Sequence, residues 1–471
     1  ADPWFCWIHL YDPHLPYAPP PPFDKKYPGA PYDGEIAYMD QALGRFLGEF
    51  EAAGRTRNAV VVICGDHGES LGEHGEAAHG LFLYEATTWV PLLIRAPGAS
   101  GGRVVEACVS LADVAPTLRQ LCGLPAAEGD GVSLRPALEG APFDRPPPYL
   151  EGLTSLLQCG WAPLYGLVDW PHKFILVPKR ELYRLDKDPG ELANLFKAGD
   201  QTAARLEAAL KERMTRTPAA RTETRTLSQE ELRSLTSLGY IAGSTAPVQA
   251  NRTYRDPKDM NHLFPQVEKA SLLLQGGKPA EAAALFERIL KEDPTNPTLH
   301  YLLARCYDPQ VPDRAMAEYR ESIRYGPTFS EPYKGLVLLL QARGRYKESY
   351  DVAALALTQV EDVNGRIRSA QAMAALALGK PVPEVLGILD KAAKGAPETP
   401  HALWIRALIA LKTGNRQASL GYLEGMAANS LPQEILLLKS DERFKELRSE
   451  PRFQALITRA ERSVPGAARR P

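Results

Sequence analysis

Short apolar runs alternate with helical patterns in the first part of the chain. Three runs bounded by glycine or proline, at residues 4–10, 58–64 and 90–97, predict buried strands. Between the first two runs, apolar residues recur at helical spacing over residues 36–50 and predict a helix. Strands that alternate with helices are typical of an α/β fold, in which functional residues gather just past the carboxyl ends of the strands.

The pattern changes farther along the chain. The stretch LADVAPTLRQLCGLP predicts a helix closed by Gly123. From about residue 182 the sequence is polar and rich in turn residues, and residues 201–238 are charged and helical in pattern. Residues 242–259 contain few apolar residues and predict a linker. The predicted boundaries are 1–200 for the α/β domain, 201–262 for a helical tail and linker, and 263–465 for a second domain.

Beyond residue 261 the helical pattern repeats with a period of about 34 residues. Small and apolar positions recur at the same offsets in successive units: Ala282, Phe286 and Ile289, then Ala315, Tyr319 and Ser322, then Ser349, Ala353 and Ala356. Glycines recur at the predicted turns: Gly277, Gly344, Gly379 and Gly414. This pattern resembles the tetratricopeptide repeat and predicts five units and a capping segment. The alternative is an irregular helical bundle.

Composition and charge exclude some classes of protein. The 471 residues are 44% hydrophobic and 24% charged, which is ordinary for a folded soluble protein. The net charge of −2 gives no electrostatic case for binding nucleic acid or an anionic membrane. The six cysteines show no CxxC and no regular spacing, so buried free thiols are expected rather than a disulfide framework or a zinc cage.

The sequence shows no obvious targeting or membrane segment. No apolar stretch approaches the ~18 residues needed to span a bilayer. The start, ADPWFCWIHLYDPH, lacks the basic region and cleavage site of a signal peptide. It resembles a strand with no loop or helix before it. We therefore expect the chain to begin inside a domain, with any targeting segment upstream of it.

A glycine-rich stretch after the second predicted strand concentrates potential metal ligands. The stretch CGDHGESLGEHGEAAHG covers residues 64–80 and contains His67, His74 and His79, three of the chain's nine histidines. Two interpretations are open at this point: a metal site at a strand end, or a solvated polar loop.

Several motifs in the first part of the chain occur together and in order. They are HLYDPHLPY, GDHGESLGEHG, LYEATTWVPLLIRAPG, SLADVAPTLRQLCGLP, DGVSL and ELYRLDKDPGELANL, followed by LTSLGYIAG. Together they resemble the sulfatase family of the alkaline phosphatase superfamily over roughly residues 3–245. The resemblance implies an α/β sandwich of the alkaline-phosphatase-like type, followed here by an all-α tetratricopeptide solenoid.

Two elements of a sulfatase are missing from this sequence. The family carries paired metal-binding aspartates and a Cys-x-Pro-x-Arg or Ser-x-Pro-x-Arg motif, whose first residue becomes the formylglycine nucleophile. Neither motif is present, and Cys122 is followed by Gly-Leu-Pro-Ala. We therefore expect the carboxyl-terminal portion of a sulfatase domain, with formylglycine encoded upstream and no activity in this chain alone. The alternative is a natural domain that has lost its chemistry.

The resemblance implies a metal role for Asp66 and His67. Asp66 stands where the family has a metal-binding aspartate, and His67 stands where many sulfatases carry asparagine. The family favours Ca²⁺, whereas imidazole suits Zn²⁺ or Mn²⁺ better. An Asp-His pair also occurs in relatives that cleave phosphate or phosphonate esters. The alternative is an Asp helix cap beside an exposed histidine.

Two further histidines match positions that contact the ester in the family. His14, in YDPHLPY, matches a histidine that protonates the leaving oxygen, a role suited to imidazole because it exchanges protons near neutral pH. His79 lies near the position of a sulfate-binding lysine. The alternatives are a turn histidine for His14 and a surface-loop residue for His79.

Other polar residues in these motifs receive no catalytic role. We expect His74 and Glu73 to be loop residues and Lys173 to be an ordinary surface lysine. Asp186, Asp188 and Glu191 are expected to form a structural turn.

Two functions from different classes follow. The first is a metal-dependent sulfuric-ester hydrolase, or a phosphate- or phosphonate-ester relative, with a sulfate-ester or phosphate-ester substrate. The second is a non-catalytic scaffold that binds a protein partner through the concave face of its repeats. The resemblance alone favours an extracytoplasmic location.

Overall fold

The computed structural model describes residues 4–99, 101–126, 128–216, 253–308, 310–362, 365–392 and 398–463. The chain divides into two compact units: residues 1–154 with 163–224, and residues 155–162 with 225–471. Among the described residues, no helix has the length and apolar character needed to cross a membrane. All six cysteines are free thiols, but only Cys159 and Cys306 are buried, so the prediction of buried thiols is wrong for the other four.

The described part of the chain up to residue 216 forms short helices and two antiparallel sheets. In chain order the helices are α1 (Phe23–Lys26), α2 (Pro31–Ala52), α3 (Glu85–Thr88), α4 (Val114–Leu121), α5 (Arg135–Glu139), α6 (Thr154–Cys159) and α7 (Gln201–Arg216). The strands are β1 (Val61–Cys64), β2 (Leu92–Arg95), β3 (Tyr149–Gly152), β4 (Leu164–Asp169), β5 (His172–Leu176) and β6 (Glu181–Arg184). Single 3₁₀ turns lie at Glu73–Gly75 and Leu111–Asp113.

The first sheet contains two of the three predicted strands, but the prediction that they are buried is wrong, since every residue of both strands is half-buried or exposed. β1 lies within the run at 58–64 and β2 lies within the run at 90–97. The two strands are antiparallel, and Cys64 pairs with Leu92. The loop that leaves β1 therefore starts beside the beginning of β2, which places the glycine-rich stretch next to α3.

The prediction of a strand at residues 4–10 is wrong. These residues have no strand structure in the described part of the chain, and their large side chains are exposed, Trp7 by 81%. A strand is held by a hydrogen-bond ladder to a neighbour. No described segment pairs with residues 4–10, so the apolar run alone does not make a strand.

The second sheet is a meander in the order β3-β4-β5-β6 with α7 packed on one face. Leu167, Phe174 and Leu182 are cross-strand neighbours and form one apolar row. Ala203 and Leu206 of α7 pack against this row together with Leu210, because residues three and seven positions apart share one face of a helix. The helical pattern predicted from residue 201 is thus present to residue 216, and its continuation to 238 lies outside the described residues.

Lys173 on β5 is fully buried, so the prediction of a surface lysine is wrong. Its Nζ lies 3.0 Å from a carboxylate oxygen of Glu85 and 3.0 Å from one of Glu191. It also donates a hydrogen bond to Thr88 Oγ1 at 3.3 Å. The burial of a lysine in this unit is tolerated because two carboxylates satisfy its charge.

The side chain of Asp113 connects two of the sequence motifs, SLADVAPT and DGVSL. Its fully buried carboxylate accepts hydrogen bonds from the backbone N–H of Ser110 at 2.8 Å and of Val132 at 2.9 Å. Arg145 Nε lies 2.9 Å from the same carboxylate. The SLADVAPT and DGVSL motifs are therefore joined through one side chain, which makes them structural parts of the fold.

In the second unit, most of the described helices pack against the next helix along the chain. They are α8 (Pro257–Met260), α9 (Phe264–Gln275), α10 (Pro279–Leu290), α11 (Pro297–Tyr307), α12 (Pro312–Tyr325), α13 (Ser330–Ala342), α14 (Tyr346–Gln359), α15 (Arg366–Ala377), α16 (Val382–Ala392), α17 (Pro400–Lys412), α18 (Arg416–Ala427), α19 (Pro432–Leu436) and α20 (Pro451–Ser463). Short 3₁₀ turns lie at Asn261–Leu263, Leu437–Lys439 and Glu442–Leu447.

The repeated sequence positions lie where neighbouring helices touch. All nine small or apolar landmarks of the first three units are buried, from Ala282 in α10 to Ala356 in α14. The four recurring glycines adopt positive φ angles of 70–77° just after a helix, which matches the left-handed residue that ends many helices. Pro397, another position of the repeat pattern, lies outside the described residues.

Candidate functional site

The loop that follows β1 is pinned to α3 by close backbone contact. Gly68 donates its N–H to the Thr87 carbonyl at 2.8 Å. A Cβ atom at position 68 would lie only 2.2 Å from the Ala86 carbonyl oxygen, so only glycine fits without a backbone shift. This contact fixes Asp66 and His67 at the start of the loop.

The same loop returns on itself and brings residue 79 back beside residue 69. Ser70 donates its N–H to the Ala78 carbonyl at 2.7 Å. The buried carboxylate of Glu76 accepts the N–H of Leu81 at 2.6 Å, which closes the turn from the inside. His74 is held outside this turn by stacking on Tyr84 at 3.6 Å between ring centroids.

Glu69 lies at the centre of the site. Its side chain is only 6% exposed, and one carboxylate oxygen lies 2.9 Å from His79 Nδ1. The other oxygen accepts a hydrogen bond from Tyr17 Oη at 2.8 Å. The ring of His67 packs on that of His79 with centroids 3.9 Å apart. One potential ligand atom from each of His67, Glu69 and His79 lies within 4.8 Å of the others.

The contacts in this cluster shift its ionisation. Burial raises the pKa of Glu69, but hydrogen bonds from His79 and Tyr17 and the charges of His79 and His67 lower it overall. The hydrogen bond to Glu69 raises the pKa of His79 despite partial burial. Burial, with the Glu69 hydrogen bond, raises the pKa of Tyr17. Glu69 is thus a carboxylate at neutral pH and Tyr17 a neutral donor.

His14 reaches the same place from a proline-rich segment. Glu35 of α2 is buried and accepts hydrogen bonds from the backbone N–H of His14 at 3.1 Å and of Ala18 at 2.6 Å. The Nδ1 atom of His14 lies 2.7 Å from the Leu15 carbonyl oxygen. The His14 ring lies 6.4 Å from the His79 ring, measured between centroids.

Asp66 lies at the edge of this cluster. Its Oδ1 atom accepts the N–H of His67 at 3.0 Å, and its Oδ2 atom lies 3.8 Å from His67 Nε2. The side chain is 79% exposed, so its carboxylate faces solvent. The structure therefore brings His14, His67 and His79 together, with Asp66 beside His67. The roles assigned to these four residues stay predictions.

The sequence interpretation gave no role to Glu69, Tyr17 or Glu35. Glu69 follows the GDHG motif directly and is the one carboxylate in that stretch that contacts two of the site's side chains. Its partner Tyr17 is distant in the sequence, so only the folded chain reveals the contact. His74 and Glu73 are loop residues: His74 Nε2 lies 3.0 Å from the Gly190 carbonyl, and Glu73 accepts the Leu71 N–H.

The ELYRLDKDPGELANL motif forms a turn held by its own side chains. Asp188 accepts the N–H groups of Leu192 and Ala193, at 3.1 Å and 2.8 Å. Asp186 pairs with Arg184 at 2.9 Å, and Glu191 pairs with Lys173. These contacts agree with the structural role that the sequence indicated for all three acids.

The donor atoms around His67 fit a divalent cation. Nδ1 of His67 lies 2.9 Å from the Gly68 carbonyl, which fixes the ring and directs Nε2 to the side of Asp66. Metal-binding histidines are commonly held in this way through their other nitrogen.

Comparisons with known proteins agree with the motifs. Residues 1–124 match the sulfatase family, and residues 72–220 match the family described as N-sulphoglucosamine sulphohydrolase, C-terminal. Residues 273–308 match the tetratricopeptide repeat.

Individual relatives are similar over part of their length. The chain is 31% identical over 170 residues to choline-sulfatase of Rhizobium meliloti (strain 1021), covering 35% of this chain and 32% of that protein. It is 28% identical over 175 residues to arylsulfatase of Clostridium perfringens (strain 13 / Type A), covering 36% and 35%. A solved phosphonate monoester hydrolase from Silicibacter pomeroyi is 25% identical, with a TM-score of 0.36, and the match covers 43% of this chain and 44% of that one.

The first part of the chain is therefore similar to sulfatases, and a tetratricopeptide repeat match follows it. These matches agree with the predicted sulfatase-like part, and the described helices beyond residue 257 agree with the predicted helical solenoid. The chain spans about a third of the length of the curated relatives it matches. At the level of the family, these matches support a hydrolase-like enzyme.

Proposed function

We propose that this chain is part of a metal-dependent sulfuric-ester hydrolase that carries a protein-interaction repeat domain. The observation that supports the proposal best is the meeting of His14, His67 and His79 within one cluster. The three histidines come from two segments of the sulfatase-like region, and the cluster includes a buried carboxylate. Residues that match metal-binding and ester-contacting positions of the family thus lie in one cluster.

Asp66 and His67 are the residues of this chain that would hold the cation. The solvent-facing carboxylate of Asp66 and the free edge of the His67 ring lie 3.8 Å apart, so little movement would bring both to one ion. A bound divalent cation supplies positive charge beside the ester oxygens. The rigid backbone around Gly68 limits the movement of both ligands.

In this proposal His14 protonates the leaving oxygen. Its Nδ1 atom is engaged with the Leu15 carbonyl, and its Nε2 atom lies 3.3 Å from the Tyr11 hydroxyl. Tyr11 also stacks on the ring at 4.3 Å between centroids, so contacts at both nitrogens set the ring orientation, and a leaving oxygen would take the place of the Tyr11 hydroxyl at Nε2. A held imidazole suits general acid catalysis because its geometry is ready before the substrate arrives. His79 would contact the ester directly or through the cation.

The proposed reaction also needs a nucleophile, and the motif that would supply it is absent from this sequence. The decisive test is to read the open reading frame upstream of Ala1. We expect paired aspartates and a Cys-x-Pro-x-Arg or Ser-x-Pro-x-Arg motif there, whose first residue is converted to formylglycine. If neither motif precedes Ala1, the sulfatase proposal fails.

A phosphate- or phosphonate-ester hydrolase is the alternative within the same superfamily. The Asp66–His67 pair favours it, because histidine replaces the asparagine that many sulfatases carry. An upstream thiol, serine or threonine nucleophile without formylglycine conversion would support this alternative. Comparison of aryl phosphate with aryl sulfate as substrate would then decide between the two chemistries.

We further propose that the repeats bind a protein or peptide partner. An open depression beside α9 is lined by Pro265, Glu268, Lys269, Leu272 and Leu273, and Leu272 is exposed. Helical solenoids bind partners through such extended surfaces. In a pull-down with the full chain, Leu272→Lys should release a specific partner and Leu195→Lys, in the first unit, should not. If both variants retain the same partners, the proposal that this surface binds the partner is wrong.

A further inference from the structure

We propose that residues 154–162 act as a strap that couples the repeat helices to the loop carrying His79. The strap connects β3 to β4 and consists of α6 and the turn that follows it. Thr154 and Pro163 belong to the first unit, whereas residues 155–162 belong to the second. The importance of this coupling for ester chemistry rests on the proposed function, whereas the coupling itself does not.

The strap is a compact turn held by its own hydrogen bonds. Ser155 Oγ donates to the Ala162 carbonyl at 2.5 Å, and the Trp161 N–H donates to the Ser155 carbonyl at 3.0 Å. The Gly160 N–H donates to the Leu156 carbonyl at 2.9 Å. Gly160 has a φ angle of 68°, which allows the chain to reverse after α6. Because its two ends are tied together, the strap moves as one piece.

Trp161 anchors the strap in the second unit. Its side chain is fully buried, and its Nε1 donates a hydrogen bond to a carboxylate oxygen of buried Asp293 at 3.1 Å. The N–H of the next residue, Ala162, donates to the Arg255 carbonyl at 2.9 Å. A tryptophan that is buried with its N–H paired is a strong anchor, because it removes a large apolar surface from water.

Asn296 connects the strap to the start of α11. Its Oδ1 accepts the N–H groups of Thr298 at 3.0 Å and Leu299 at 3.2 Å, which caps the helix. Its Nδ2 donates to the Cys159 carbonyl at 2.6 Å. A Cβ atom at Gly160 would lie 2.6 Å from Asn296 Oδ1, so the strap packs tightly on this cap. One side chain therefore holds both the helix end and the strap.

The beginning of the strap lies against the residues that follow His79. A Cβ atom added at Gly80 would lie 3.5 Å from Thr154 Oγ1. A Cβ atom added at Gly152, the last residue of β3, would lie 3.2 Å from Cδ2 of the buried Leu83. A shift of α6 is thus passed to residues 80–83, and so to His79, through packed atoms.

The strap also lies near the surface of α9 that we propose as a partner site. Burial, with the charges of Glu268 and Asp293, raises the pKa of the Cys159 thiol, so the Glu268 carboxylate lies within electrostatic reach of the strap. Glu268 also lines the depression beside α9. We therefore expect a partner bound in that depression to act on the strap and, through it, on the His79 loop.

The experiment compares hydrogen exchange, followed by mass spectrometry, in the full chain and in Asn296→Ala. Loss of the cap should speed exchange in peptides from α11 about fivefold. We expect peptides that cover residues 76–84 to exchange faster as well, by at least about twofold. Trp161→Phe keeps an aromatic ring but lacks the Nε1 donor, and it should have the same effect on residues 76–84. This conservative variant keeps the test valid if Asn296→Ala does not fold.

Asn415→Ala is the matched control. Asn415 caps α18 by accepting the Ala418 N–H at 3.0 Å, and no hydrogen bond among the described residues joins it to the strap. It should speed exchange in α18 and leave residues 76–84 unchanged. The inference is overturned if residues 76–84 exchange alike in Asn296→Ala and Asn415→Ala. It is also overturned if peptides from β5 accelerate as much as residues 76–84, since that indicates general loosening. Either result leaves the ester-hydrolase proposal standing, because that depends on the upstream nucleophile.

Discussion

Replacement of Lys173 by methionine should destabilise the first unit strongly. The lysine ammonium lies 3.0 Å from both Glu85 and Glu191, and the Glu191 side chain is 1% exposed. Methionine keeps most of the side-chain volume but leaves the Glu191 carboxylate buried without a cation. Loss of one partner of a buried ion pair costs about 3–5 kcal/mol. In a unit of this size that corresponds to a fall in Tm of about 10 °C.

The assay is hydrogen exchange followed by mass spectrometry on peptides from β4, β5 and β6. A local measurement is needed because the chain has two units, and a single global transition is not assured. Lys187→Met is the matched control, since the Lys187 side chain is 71% exposed and its nearest carboxylate is 3.8 Å away. Surface changes of this type are usually within about 0.5 kcal/mol of neutral.

A second variant isolates the charge effect. Adding Glu191→Gln to Lys173→Met removes the unpaired buried carboxylate and should restore a large part of the lost stability. The reasoning is refuted if Lys173→Met exchanges like the control, or if the double variant is less stable than Lys173→Met alone.

Three further changes test other parts of the structure. Gly68→Ala should disrupt the loop, because a Cβ atom there would lie 2.2 Å from the Ala86 carbonyl oxygen. A Cβ atom at Gly101 meets no atom within 4 Å and that glycine has no positive φ, so faster proteolysis of Gly68→Ala than of Gly101→Ala would bear this out. Phe286→Ala should lower the stability of the repeats by about 3–5 kcal/mol in urea unfolding, because the side chain is fully buried, whereas truncation of exposed Leu272 should have little effect. Burial, with a smaller effect of Arg443, lowers the pKa of His401 to about 4. In the unfolded chain this histidine has its ordinary pKa of about 6.5, so on acidification the unfolded chain takes up a proton before the folded chain does. The free energy of unfolding should therefore fall by about 3 kcal/mol as the pH drops from about 6.5 to 4. His401→Gln should remove that pH dependence.

The predictions that succeeded depend on local patterns. The strands β1 and β2, the helix α2 and the turn glycines of the repeats follow from apolar spacing and from the conformation that glycine allows. The run at 4–10 has the same local signature as β1, but a strand also needs a neighbour, and none of the described segments pairs with it. Local pattern therefore predicts where a strand can form and not whether it finds a partner.

The candidate site was predicted in part for the same reason. His14, His67 and His79 were found because they belong to motifs that resemble those of a family. Glu69 was missed because its importance comes from contacts with Tyr17 and His79, which only folding brings about. Lys173 was misjudged because lysine is usually exposed, and its two carboxylate partners lie far away in the sequence.

The most direct test of the proposed function is the hydrolysis of an aryl sulfate by the full-length protein encoded by this reading frame. We expect turnover of the sulfate ester, faster than that of the matching aryl phosphate. Asp66→Ala should abolish it and Lys187→Met should not affect it. Turnover of the phosphate ester alone would move the protein to the phosphate branch of the superfamily. Undiminished aryl sulfate turnover by Asp66→Ala would contradict the role of the strand-end site.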